Sequence, residues 1–299
     1  MKRLSWRRGV LGVAAVATIW VGAVWPPPIW WRAHTPRRTA MMRWADRRGG
    51  PGATDLQPVA LGDVATSLRR MVIIAEDSRF HSHWGIDPAE IADAMGLRPG
   101  AAVWETLRTV WLRRDRIRGA STITQQLAKN LYLSPSRNPL RKVKEIVTAF
   151  RLEAALSKDR ILELYLTVAE FGPGVWGVEE ASRTYFGVAA RGLSPVQAAS
   201  LAATLPHPRS SNPAYQPGRM LARRDLILAR FHGADVVIPQ LGDLELDVVL
   251  DSLPSIPFTP VIPALESLRV EPPVDSARDT TDTARTDTTR LVLLTPRPR

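Results

Sequence analysis

Glu76 opens the run Glu76-Asp77-Ser78-Arg79-Phe80-His81-Ser82-His83-Trp84-Gly85, which crowds acids, imidazoles and aromatic rings together. A carboxylate held against aromatic surface loses hydration, its pKa rises, and it becomes a base able to take a proton from a hydroxyl. The same run also fits a solvated helix end, with His83 capping a carbonyl. A second constellation, Gly119-Ala120-Ser121-Thr122-Ile123-Thr124-Gln125-Gln126-Leu127-Ala128-Lys129-Asn130, sets Ser121, Gln125 and Lys129 one turn apart on a single helical stripe. Such a stripe can hold sugar hydroxyls and a phosphate charge, or it can face water. In the third, Arg141-Lys142-Val143-Lys144-Glu145 preceded by Arg137, cations gather around one carboxylate. A pyrophosphate site with a bound divalent ion needs that arrangement, and an exposed ion pair spaced i to i+4 has it too.

These residues need rigid elements to carry them, and the hydrophobic periodicity supplies helices. Val64, Leu68, Met71, Val72 and Ala75 recur at helical spacing behind Asp63, which is expected to cap a helix that delivers Glu76 at its C-terminal end. Ser121 is expected to cap a second helix with Ile123, Leu127 and Leu131 inward. Val143, Ile146, Val147, Phe150 and Ala154 mark the expected buried face of a third. Ile161, Leu162, Tyr165 and Leu166 mark a fourth, running towards Gly172. Ser194, Pro195 and Gln197 read as a capping box with proline at the first helical position, and Pro206 stops that helix. The core is therefore expected to be mainly α.

Outside this core the composition shifts. The chain has 299 residues, no cysteine and a formal net charge of +11, which excludes disulfides and a cysteine nucleophile and implies an anionic partner. Lys2, Arg3, Arg7 and Arg8, in an N-terminal segment 1–8, precede an uncharged stretch 9–25 flanked by Trp20, Trp25, Trp30 and Trp31. That pattern predicts a transmembrane anchor with a cytoplasmic N-terminus and everything after it exported; the alternative is a cleaved signal peptide. Export on either reading argues against nucleic acid as the partner. Residues 26–55, rich in Pro, Arg and Gly, read as a juxtamembrane linker, 56–233 as the folded domain, and 234–299 as a largely disordered extension. The extension is broken by Pro254, Pro257, Pro260 and Pro263 and continues past Pro272 into a polar Thr-Asp-Arg tract.

Taken in order, these segments resemble the family 51 glycosyltransferases, the peptidoglycan polymerase domain also found in class A penicillin-binding proteins. The resemblance rests on Glu76-Asp77-x-x-Phe80-x-x-His83-x-Gly85, Gly119-x-Ser121-Thr122-Ile123-Thr124-Gln125-Gln126-x-x-Lys129-Asn130, Arg141-Lys142-x-x-Glu145 and Ile161-Leu162-Glu163-x-Tyr165-Leu166. It continues through Tyr185-Phe186-Gly187 and Ala198 to Pro206. Ala169-Glu170-Phe171-Gly172 and Gly174-Val175-Trp176-Gly177 are most similar to the stand-alone members, the monofunctional biosynthetic transglycosylases. The resemblance implies a lysozyme-like head-and-lobe glycosyltransferase domain behind one N-terminal transmembrane helix, in the inner membrane with its catalytic domain in the periplasm. Glu76 would be the general base that deprotonates the 4-hydroxyl of lipid II. Glu145 would be the second carboxylate, steadying the leaving undecaprenyl pyrophosphate directly or through Mg2+ or Mn2+, with no organic cofactor. Lys129 and Arg137 match phosphate-holding positions; Ser121, Thr122, Gln125, Gln126, Asn130, Arg141, Lys142 and His83 match other cleft positions.

The implied partners are lipid II, the growing glycan chain, membrane lipids and other cell-wall synthesis or division proteins. By analogy with inverting glycosidases, the two carboxylates should stand about 6.5 to 9.5 Å apart. Arg108, Arg113, Arg114, Arg116 and Arg118, interleaved with Val110, Trp111, Leu112 and Ile117, would rest on anionic lipid or be merely solvated. The family's usual Tyr-Leu-Asn is broken by Thr167, which exchanges an amide for a shorter hydroxyl. No lysine follows Lys158, so a Ser-x-x-Lys and Lys-Thr-Gly transpeptidase is excluded from this sequence. A lytic transglycosylase or muramidase, and a catalytically silent scaffold, remain the competing readings.

Overall fold

The apolar stripes dictate most of the observed elements. The computed structural model describes residues 22–49, 55–95, 121–134 and 139–238, with Gly12 and Val16. In chain order the helices are α1 (Ala40–Arg47), α2 (Thr66–Glu76), α3 (Pro88–Met95), α4 (Ile123–Tyr132), α5 (Pro139–Ala155) and α6 (Lys158–Val168). A hairpin of β1 (Glu170–Gly172) and β2 (Val175–Trp176) follows, then α7 (Val178–Phe186), α8 (Pro195–Thr204) and α9 (Gly218–Phe231). Short 3-10 turns lie at Pro28–Arg32, Leu61–Asp63 and Ala190–Gly192. The fold is mainly helical, and the described residues fall within one compact unit, Met1–Arg269.

Helix α8 is the axis of one half of the core, packed on α2 and α9. Its small residues let neighbours approach closely, and every side chain from Gln197 to Thr204 is buried. Ser194 caps it as the sequence predicts, with Gln197 reaching back to close the capping box. Helix α4 organises the other half, packed on α5, α6 and α1. Ile123, Leu127 and Leu131 point inward from it, and Leu68, Met71, Val72 and Ala75 do so from α2.

Several expectations are corrected. The cap of α4 is Thr122, not Ser121: its Oγ1 accepts from Gln125 N at 3.2 Å, and Gln125 Oε1 accepts from Thr122 N at 3.1 Å. Asp63 lies in a 3-10 turn and does not cap α2, whose start is tied down by Ala65 N donating to Ala190 O. Helix α6 stops at Val168, and the hairpin occupies the stretch up to Gly172 and beyond. Thr167 is buried, its hydroxyl donating to Glu163 O, so it is spent on its own helix and does not support a cleft.

Helix α5 is turned over relative to expectation. Glu145, Thr148, Ala149, Leu152 and Glu153 are its buried residues, while Val143, Phe150 and Ala154 are exposed. Polar residues tolerate that burial because each is paired: Glu145 with Arg141 and Lys142, Thr148 with Lys144 O, Glu153 with Thr124 Oγ1 and Lys158.

The linker expectation also changes, because residues 26–47 are folded onto the domain. Trp31, Met42 and Ala45 are buried in the common core. Trp31 Nε1 donates to Tyr132 Oη at 2.6 Å, and Tyr132 Oη donates to Pro26 O at 2.8 Å. Arg160 donates to the carbonyls of Trp31 and His34, both at 2.8 Å. No helix among the described residues is long and apolar enough to cross a membrane. Segment 1–8 and most of 9–25 lie outside the described residues, as do the basic Arg108–Arg118 run and nearly all of 234–299.

Candidate active site

Asp77 builds the site by joining two helix ends. Just past α2, its carboxylate accepts from Ile123 N, the first amide of α4, at 3.0 Å and from His83 Nε2 at 2.8 Å. An acid at a helix N-terminus satisfies an orphan donor and complements the helix dipole. This staple sets the last residue of α2, Glu76, beside the second turn of α4. Glu76 is buried there; Oε2 accepts from Gln126 Nε2 at 2.9 Å and Oε1 from Arg223 Nη2 at 3.2 Å. Gln126 Oε1 in turn accepts from the Tyr165 hydroxyl at 2.9 Å. Burial pushes the Glu76 carboxyl above its ordinary value, and Arg223, Gln126 and Lys129 oppose that rise without reversing it.

Glu145 is the second buried acid. Arg141 Nη1 reaches its Oε2 at 3.2 Å and Lys142 Nζ its Oε1 at 2.5 Å, while Lys142 also donates to Ser121 Oγ at 2.9 Å. Lys129 connects the two acids electrostatically. Burial lowers the pKa of its ammonium, the attraction of Glu145 opposes this, Arg141 and Lys142 depress it further, and Glu76 raises it. Glu170, on β1, is also in its field: burial raises the Glu170 pKa, and its ion pair with Arg209 at 2.7 Å and the Lys129 charge pull it back.

Glu76, Gln126, Lys129, Glu145, Arg141, Lys142 and Ser121 are thus brought into one linked set. Thr122 and Gln125 are buried in the capping box, so they shape the helix start. Asn130 is buried on α4. His83, expected at the cleft, has its side chain only 5% exposed and turned onto Asp77. Arg137 lies outside the described residues. Gly85 explains its place in the first motif: with φ +80° it lies against α5, and a Cβ there would stand 3.2 Å from Ala149 C.

Sequence reasoning missed Arg223. Its signal was available, since Met220, Arg223 and Ile227 share one helical stripe and are the buried residues of α9. An arginine at a core position needs a partner there.

Among the described residues no group of three or more His, Asp or Glu side chains could hold a metal ion. Both Glu145 oxygens already receive cations. Among the described residues, Glu145 therefore has no carboxylate oxygen free of a cation to offer a resident metal. Chemically, the set offers a base able to accept the proton of a hydroxyl and positive charge for a leaving anion.

A sequence model of the Transglycosylase family matches residues 47–232. A biosynthetic peptidoglycan transglycosylase of Azoarcus sp. (strain BH72) is 37% identical over 247 residues, covering 79% of this chain and 99% of the relative. Another with that name, from Thiobacillus denitrificans, is 36% identical over 246 residues, covering 80% of this chain and 100% of the relative. A third, from Laribacter hongkongensis, is 36% identical over 231 residues, covering 75% and 94%. With the family match spanning more than half of the sequence and these relatives covered almost end to end, the chain belongs to the transglycosylase family.

Proposed function

We propose that this protein is a peptidoglycan glycosyltransferase that polymerises lipid II into linear glycan strands. Glu76 takes the proton of the acceptor 4-hydroxyl. The freed oxygen attacks the anomeric carbon of the growing chain with inversion, the bond from that carbon to the pyrophosphate oxygen breaks, and undecaprenyl pyrophosphate leaves with the electron pair. Lys129, Arg141 and Lys142 neutralise the departing diphosphate, and Glu145 holds those cations in place. A divalent ion, which the family resemblance implies, would have to arrive with the diphosphate, and no step above depends on it. The observation that carries this reading is Lys129, half-buried on α4 and in the field of both Glu76 and Glu145. A hydrolase has no diphosphate to hold and needs no such cation set.

The work belongs to the cell envelope. We assign the chain to the inner membrane through a single pass at 9–25, with a lysozyme-like head and lobe in the periplasm. Membrane contact is supported by an apolar stripe on α5, where Leu140, Val143 and Phe150 are 48%, 46% and 40% exposed. Exposed Trp84, next to the glycine that packs on Ala149, emerges beside it.

Purified full-length protein in detergent should extend labelled lipid II into long strands, and Glu76→Gln should abolish this while the far-ultraviolet spectrum stays unchanged. Normal polymerisation by Glu76→Gln, or release of anhydro-muropeptides from finished sacculi by the wild type, overturns the assignment.

A further inference from the structure

The proposed base is gripped by residues that lie far from it in sequence, and to two of them, Tyr165 and Arg223, the family resemblance assigns no role. Glu76 Oε2 receives Gln126 Nε2 at 2.9 Å, and the same nitrogen lies 3.5 Å from Ser121 O. The other end of that amide, Oε1, receives the Tyr165 hydroxyl at 2.9 Å. If the amide turned over, its oxygen would face the Glu76 carboxylate and a carbonyl, acceptor against acceptor, and its nitrogen would face a donor. Only one orientation satisfies every group, and the Tyr165 hydroxyl selects it. On the opposite side, Arg223 Nη2 bridges Glu76 Oε1 at 3.2 Å and Ala75 O at 2.8 Å. The guanidinium is thus keyed to the helix end as well as to the carboxylate.

We propose that Tyr165 and Arg223 are positioning residues for the glycosyl transfer: Tyr165 locks the Gln126 amide nitrogen onto one oxygen of Glu76, Arg223 holds the other, and one acceptor site on each oxygen stays open for the incoming proton. The inference rests on Glu76 being the base. From the elements around it, Glu76 is faced by Arg223 on α9, by Gln126 and Lys129 on α4, and by Tyr165 on α6, with Asp77 next along the chain. Among these, Arg223 makes the ion pair, which leaves Lys129 available to substrate. Tyr165 suits its part because burial, with the Glu76 charge behind it, drives its hydroxyl well above the ordinary tyrosine range, so it remains a donor throughout the working pH. Without Arg223, the burial of Glu76 is less opposed, and the carboxylate holds its proton to a higher pH than in the wild type.

The pH dependence of kcat on lipid II by the full-length protein tests this. In Arg223→Met the acid limb should move up by about one to two pH units, the size expected for losing a hydrogen bond to a charged group. Arg223→Lys, which keeps the charge, should restore part of the shift. Tyr165→Phe keeps the ring volume and should move the limb in the same direction by less, with kcat falling and KM unchanged. Because Tyr165 acts through Gln126, Tyr165→Phe should add nothing further in a Gln126→Leu background, whereas a purely structural tyrosine gives additive losses. Acid limbs that stay at the wild-type position in folded variants, or an additive double mutant, overturn the proposal. Glu76→Gln run alongside separates the failures: if it is inactive while the other limbs do not move, only the positioning roles fall, and if it is active, the base assignment falls.

Discussion

Glu76 is held in an unfavourable place for a carboxylate, and that has a cost in stability with a definite sign. Its folded pKa lies above the ordinary 4.5 because burial outweighs Arg223, Gln126 and Lys129. Between those two values the folded chain binds a proton that the unfolded chain has released, so stability falls as pH rises through this window. Thermal melts of wild type and Glu76→Gln from pH 4 upward should therefore diverge, with the variant gaining on the wild type as pH increases; parallel curves would contradict this sign. A second prediction at this scale concerns Gly177, whose φ is +84° and whose added Cβ would meet Thr167 O at 2.6 Å. Gly177→Ala should cost about 1–3 kcal/mol in chemical denaturation, and unchanged stability would mean that the hairpin shifts freely. Much of the site was legible at this scale: Glu76, Lys129, Glu145, Arg141 and Lys142 meet as their motifs imply. Arg223 and Asp77 were not assigned, because their roles arise only when α9 and the start of α4 come to the end of α2. The contact of His83 with Asp77 was not legible, because a motif histidine reads the same whether it faces substrate or an aspartate.

Helix periodicity located the elements well and oriented most of them correctly. It failed on α5, where counting apolar residues assumes that polar side chains seek water. Glu145 and Glu153 instead find cations and hydroxyls inside the protein, and the apolar residues are left outside. This inversion is itself informative, since an apolar stripe with its partner removed seeks another apolar phase. Val143→Asp and Phe150→Asp should leave the melting temperature within about 2 °C of wild type, as expected of exposed positions. They should lower binding of the full-length protein with residues 9–25 replaced by a polar linker to phosphatidylglycerol vesicles in a sedimentation assay. Equal vesicle binding by variant and parent would remove α5 from the membrane-facing surface. The strands at Glu170–Gly172 and Val175–Trp176 escaped notice because so short a hairpin has no room for an alternating pattern.

Across the whole molecule, the segment after the proposed anchor is built into the core, so the domain does not start where the clear periodicity starts. Met42 is fully buried and its helix packs on α4. Met42→Ala should cost about 2–5 kcal/mol, seen as a lowered urea midpoint. A chain beginning at Leu56 should be less stable than one beginning at Pro26, and equal midpoints would mean that 26–47 is dispensable to folding. Residues 26–55 read as a linker because Pro, Arg and Gly are prominent in the composition, while the few anchoring side chains, Trp31, Met42 and Ala45, are too sparse for a stripe. The ion pair between Arg223 and Glu76 adds a constraint in time. Its two halves are separated by 147 residues. While the chain is being synthesised, the stretch carrying the acid emerges long before the helix that supplies its counter-ion. Until that late helix has docked, the acid lacks the guanidinium that holds one of its oxygens. The grip on the carboxylate is therefore among the late contacts to form along the folding chain.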